Sequence, residues 1–131
     1  MQTTETSNEP TSAQYTVLVA EDNPSNYKLT EVILRKTYRV LHAENGAEAI
    51  ELYRQHRPDV VLMDINMPIM DGYDALKGIR AEFPDARVIA LTAYAFETDR
   101  QHMIQAGFDH CLSKPLRIDE LKQTIAETLK H

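Results

Sequence analysis

Apolar positions in this chain fall into short, evenly spaced runs separated by longer stretches with helical periodicity. Residues 15–20, 38–43, 60–63, 87–91 and 108–113 are too short for helices and rich in branched apolar side chains, which predicts buried strands. Between them, Leu29, Val32, Ile33 and Lys36 recur at helical spacing after Pro24, and Ala47, Ile50 and Tyr53 share a side of the stretch Gly46–His56. Leu76, Ile79 and Arg80 stand in register over 73–83, a further helix covers 98–106, and Ile118, Leu121, Ile125 and Leu129 form one stripe in the last. The punctuation agrees. Asp22 or Asn23 is placed to cap a helix that Pro24 opens, Gly107 suits a left-handed cap, and Asp119 and Glu120 sit near the positive end of the last helix.

Five strands alternating with five helices through short links predict an α/β, flavodoxin-like (βα)5 three-layer sandwich. Its parallel five-stranded sheet has the order 2-1-3-4-5, joined by right-handed crossovers. All strands of such a sheet end at one edge, where these folds bind ligands. The residues at those ends are Glu21-Asp22, Asp64, Thr92 and Lys114. The first and third strands are neighbours, so three carboxylates are expected to crowd together. Like charges that close need compensation, and a hard divalent cation with oxygen ligands, Mg2+, suits the set. Lys114 adds one positive charge, and the Thr92 hydroxyl can donate to an oxyanion.

Composition narrows the class. The 131 residues suffice for one domain with a proper core, and the net charge of -6 argues against a nucleic-acid-binding face. No apolar run approaches the ~20 residues needed to cross a bilayer, so no membrane role is expected. Residues 1–14, polar and without an apolar segment, are expected to be a flexible N-terminal tail or linker rather than a secretory signal. The single cysteine, Cys111, permits no internal disulfide, and a cytoplasmic location is expected. The histidines show no metal-ligand spacing and read as surface residues, while Met63, Met67 and Met70 read as core or loop packing.

The set Glu21-Asp22, Asp64 within Asp-Ile-Asn-Met-Pro-Ile-Met-Asp-Gly, Thr92-Ala93 and Lys114-Pro115 resembles the receiver domain of two-component response regulators, the CheY-like family, over residues 15–129. The resemblance implies that Asp64 accepts a phosphoryl group from a histidine kinase or a histidine phosphotransfer protein. It implies that Asp22 holds Mg2+ directly, Glu21 mostly through water, and Asn66 through its backbone carbonyl. Lys114 would pair with the acceptor and then the phosphoryl oxygens, Thr92 would swing to the phosphoryl group, and the Lys114–Pro115 peptide would be cis. Asn66 and Tyr94 would flank the path of an attacking water and so tune the lifetime of the acyl phosphate. The chain departs from the family at Cys111, where Tyr or Phe is usual. A thiol cannot fill a ring-sized cavity, so any switch is expected to run through Thr92 and backbone shifts after the fourth strand.

Residues 15–131 are thus read as a phosphoacceptor signalling domain that catalyses only its own phosphorylation and dephosphorylation. A Mg2+-dependent aspartyl-phosphate phosphohydrolase is the alternative. That class resembles Asp-x-Asp after the first strand, whereas here the candidate nucleophile follows the third and the residue two beyond is Asn66. A nucleotide- or flavin-binding module would need a glycine-rich phosphate loop, and the four glycines are not clustered after a strand. No effector domain is expected in the chain, which fits a free-standing regulator or, by its Met-Pro-Ile-Met-Asp-Gly and Leu-Ser-Lys-Pro-Leu wording, the receiver of a hybrid histidine kinase. A downstream protein target would bind the last two helices and the fifth strand.

Overall fold

Strands β1 (Thr16–Ala20), β2 (Arg39–Ala43), β3 (Val60–Asp64), β4 (Val88–Thr92) and β5 (His110–Ser113) form one parallel sheet in the order β2-β1-β3-β4-β5. They alternate with α1 (Pro24–Leu34), α2 (Gly46–His56), α3 (Gly72–Glu82), α4 (Glu97–Ala106) and α5 (Ile118–Leu129). This computed structural model describes residues 15–93 and 96–130; the expected tail over 1–14, Tyr94 and His131 lie outside them. The architecture is the expected three-layer α/β sandwich.

The strands read as continuous apolar runs because both faces of the sheet are covered. On β3, Val61 and Met63 pack toward α2, α3 and α4, while Val60 and Leu62 pack toward α1 and α5. Successive residues of a strand point to opposite faces, so one run of four apolar residues serves both cores. The helix starts follow side-chain capping: Asn23, Asn45 and Asp71 accept hydrogen bonds from the amides of Asn26, Glu48 and Asp74.

Four expectations need correction. On α1 the predicted stripe faces outward in part, with Leu29 52% and Val32 38% exposed, while Thr30 and Leu34 are buried. Thr30 tolerates this because its hydroxyl donates to the Asn26 carbonyl at 3.0 Å, so no polar group is stranded. On α2, Ala49 and Tyr53 are buried and Ala47 is exposed, and on α5 Ile118 is exposed although Leu121 and Ile125 are fully buried. Finally, β5 begins at His110 rather than at 108. Gly107, at φ 115°, ends α4 in the left-handed region, and the Phe108 amide is spent on the Met103 carbonyl.

Candidate functional site

The carboxyl edge of the sheet assembles the site from strand ends. The Glu21 amide extends the β1–β2 ladder by one bond, to the Ala43 carbonyl at 2.9 Å. Asp64 is the last residue of β3 and stands beside Leu91; Thr92 closes β4, and its carbonyl accepts from the Lys114 amide at 2.8 Å. Carboxylate oxygens of Glu21, Asp22 and Asp64 all lie within 4.8 Å of one another. Glu21 and Asp64 are buried, whereas Asp22 is exposed.

Lys114 lies across this cluster. Its Nζ is 2.8 Å from Glu21 Oε1 and 2.9 Å from Asp64 Oδ2. Asp64 Oδ1 accepts from the Asn66 amide at 3.1 Å, and Glu21 Oε2 from the Asn23 amide at 3.2 Å. Burial pushes the Glu21 carboxyl above its ordinary value; Lys114 pulls against this, and the neighbouring Asp64 adds to it. For Lys114, burial works against the charged amine. Its hydrogen bonds and charge pairing with Glu21 and Asp64 outweigh that and leave its pKa raised. One ammonium thus pairs with two of three clustered carboxylates, and the ligand atoms that these carboxylates offer are hard oxygens. This set fits Mg2+, which takes one or two carboxylates and keeps waters for a phosphoryl ligand.

The loop after β3 is held tightly. Gly72 donates to the Ile65 carbonyl at 3.0 Å, and a Cβ there would stand 2.6 Å from the Asp64 carbonyl oxygen. Met70 donates back to Pro68 across Ile69, whose φ of 69° is left-handed, and the Met70 carbonyl accepts from Gly46 at the start of α2. Met63 and Met67 are buried and Met70 packs against the core, as expected for packing residues. The Lys114–Pro115 peptide is cis.

Not every singled-out residue meets the cluster. Cys111 pairs with Ala90 on β4, back from the edge, and is buried with its Sγ 3.6 Å from Met103 Sδ. Burial raises its thiol pKa, so it behaves as a small apolar residue rather than a thiolate. Thr92 is buried and lines a cavity of about 290 Å³ between Asn66, Tyr73, Phe96 and Met103. Tyr94 lies outside the described residues. One contributor was missed. His42, expected at the surface, is half-buried, stacked on Tyr27, and bonded to the Glu21 carbonyl. Nothing in the local sequence signals this, because it depends on the β1–β2 register.

An acidic, lysine-bridged cluster at the strand ends of a doubly wound sheet sets the class: an α/β protein with its polar site at the carboxyl edge, where such folds bind ligands. Residues 17–126 match the response regulator receiver domain. The chain is 36% identical over 116 residues to the polar-differentiation response regulator DivK of Brucella anthropi, covering 86% of this chain and 94% of that protein. It is 37% identical over 110 residues to the sensor histidine kinase RcsC of Escherichia coli, covering 83% of this chain but spanning 12% of that kinase. Among solved structures it resembles the receiver domain of the sensor histidine kinase PA1611 of Pseudomonas aeruginosa, which carries a magnesium ion coordinated in its active site cleft. That match has a TM-score of 0.84 at 36% identity and covers 91% of this chain and all of that one. The chain belongs to the response regulator receiver family, and its function lies in phosphorelay signalling.

Proposed function

We propose that residues 15–131 form a receiver in which Asp64 accepts the phosphoryl group of a phosphohistidine. The partner would be a histidine kinase or a histidine phosphotransfer protein. The observation that carries this reading is the Lys114 ammonium spanning Glu21 and Asp64 amid three converging carboxylates at the strand ends.

In the transfer, a carboxylate oxygen of Asp64 bonds to phosphorus as the phosphorus–nitrogen bond of the donor histidine breaks, and the histidine leaves with that electron pair. The Asn66 amide orients the carboxylate through Oδ1. Lys114, already on Oδ2, follows the incoming negative charge onto a phosphoryl oxygen, and the Thr92 hydroxyl donates to another. Asp22, Glu21, Asp64 and the Asn66 carbonyl are the residues to hold Mg2+, which supplies charge neutralisation across the transferring group. Catalysis then consists of positioning and electrostatics, and the domain acts on its own phosphorylation state alone. With Cys111 at the usual aromatic position, the conformational response runs from Thr92 into the segment after β4.

The test is intact mass after incubation with Mg2+ and a small-molecule acyl phosphate. One phosphoryl adduct is expected that requires Mg2+ and is lost in Asp64→Ala. A single adduct that persists in that variant would place the acceptor elsewhere. Fast turnover of the acyl phosphate with no adduct would favour a phosphohydrolase.

A further inference from the structure

The β1–β2 pairing runs from Thr16 opposite Arg39 to Ala20 opposite Ala43, and the Glu21 amide adds the last main-chain bond. Beyond Ala43 the chain leaves β2 for α2. The next acceptor on the β1 side, the Glu21 carbonyl, is met instead by a side chain: His42 Nε2 lies 2.8 Å from it. A carbonyl oxygen only accepts, so Nε2 carries the proton and donates. The imidazole lies flat on the Tyr27 ring of α1, with centroids 3.6 Å apart and planes 10° from parallel. The stack limits the ring's rotation and keeps the donor aimed.

That carbonyl belongs to the peptide joining Glu21 to Asp22, so its orientation sets the direction in which Asp22 leaves the strand. Glu21 is also fixed through its carboxylate, by Lys114 and by the Asn23 amide. Asp22 is different. It is exposed, and among the described residues its carboxylate makes no hydrogen bond or ion pair. Its place within 4.8 Å of the other two carboxylates is therefore set by its own rotamer and by the backbone that carries it, with no side-chain partner among the described residues.

We infer that His42, braced by Tyr27, is a positioning residue that presets the Glu21–Asp22 peptide, and with it the Asp22 carboxylate, for a divalent cation. The inference rests on reading Glu21, Asp22 and Asp64 as the cation's holders. His42 touches neither metal nor phosphoryl group; it acts through one main-chain oxygen.

The test is Mg2+ titration calorimetry on the full chain, with thermal midpoints recorded for every variant without metal. Loss of one oriented hydrogen bond predicts about fivefold weaker Mg2+ binding in His42→Leu. His42→Gln places an amide nitrogen where Nε2 was and is expected to bind within about twofold of the wild type, whereas His42→Asn, whose donor falls short, is expected to match His42→Leu. Tyr27→Phe keeps the ring and the affinity; Tyr27→Leu lowers the affinity. If His42→Leu fails to fold, the Gln–Asn pair decides the matter. Equal affinity in His42→Gln and His42→Asn, or wild-type affinity in His42→Leu, overturns the inference while leaving the acceptor reading intact. A wild type that binds no Mg2+, indistinguishable from Asp22→Asn, overturns both.

Discussion

Three clustered carboxylates with one ammonium pairing two of them leave the site with excess negative charge, and this excess governs how it answers to substitution and pH. Two like charges no more than 4.8 Å apart repel by about 3.5 kcal/mol or more at an effective dielectric of ~20, above the ~1.5–3 kcal/mol of a single hydrogen bond to a charged group. Asp64→Asn removes one charge and keeps one oxygen, enough for Lys114, while its NH2 takes the place of Oδ1 and gives up the bond from the Asn66 amide. Without Mg2+ it is expected to raise unfolding stability by about 1 kcal/mol in urea titrations. The pH dependence has two windows. Glu21 has a raised pKa in the fold, so the folded state holds its proton longer; metal-free stability falls as pH rises from the ordinary 4.5 through the raised value. Lys114 is also raised, so its contribution is complete below 10.5 and lost as pH rises through its folded value. Urea midpoints across pH, with Lys114→Met as the control for the upper window, check both. At Cys111, burial against Met103 and a raised thiol pKa predict alkylation by iodoacetamide much slower in the native protein than in urea.

Between elements, close approach separates two glycines that look alike in the sequence. A Cβ on Gly72 would meet the Asp64 carbonyl oxygen at 2.6 Å and the Ile65 Cα at 3.0 Å, both backbone. Gly72→Ala therefore pushes directly on the acceptor strand. It is expected to cost about 2–4 kcal/mol, in the range of overpacked or strained sites, and to slow phosphorylation in the mass assay. On Gly78 the nearest atom is the Cδ1 tip of Ile50, which can turn away, and the site is a helix interior where Ala gains about 1 kcal/mol over Gly. Gly78→Ala is expected to be neutral within about 1 kcal/mol in the same titrations. The sequence makes the elements plain because the central strands β1, β3 and β4 are buried on both faces and the strands' apolar runs stop at charged or hydroxyl residues. It also shows the acidic site, since strand ends in a parallel sheet share an edge. Helix faces are less legible. Thr30 is buried with its hydroxyl turned back on Asn26, while Leu29 and Val32 lie partly in solvent, so polarity misreports the inward side of α1. His42 is invisible for another reason: its partner is a main-chain oxygen, and its brace comes from a different element.

Across the whole molecule, the edge opposite the site is tied by one side chain. Arg80 of α3 donates from Nε to the Ala86 carbonyl and from Nη1 to the Gly107 carbonyl, each at 2.9 Å, and pairs through Nη2 with Asp109 at 3.0 Å. Asp109 Oδ2 also accepts from the Val88 amide at 2.7 Å. The ion pair is partly solvated and adds little, but two partly buried carbonyls, of Ala86 and Gly107, lose their donor in Arg80→Met. That variant is expected to lose about 2 kcal/mol of stability, measured by thermal unfolding, without changing Mg2+ affinity.

The same clasp sets how α4 can move. Its last turn is fastened through Gly107, Phe108 and Asp109, while its first turn, beginning beside the site after Phe96, has no side-chain cap. A rod pinned at one end and held at the other by a single 3.5 Å bond from Arg100 Nη2 to the Cys111 carbonyl, among the side-chain bonds from described residues to other elements, is a lever. Its fulcrum lies at the far edge of the sheet and its free tip next to Thr92, so a small displacement there swings the near turn through the widest arc. Amide hydrogen exchange is expected to be fastest at residues 97–100 and slowest at 103–108, a gradient that flattens when Arg80→Met loosens the pin.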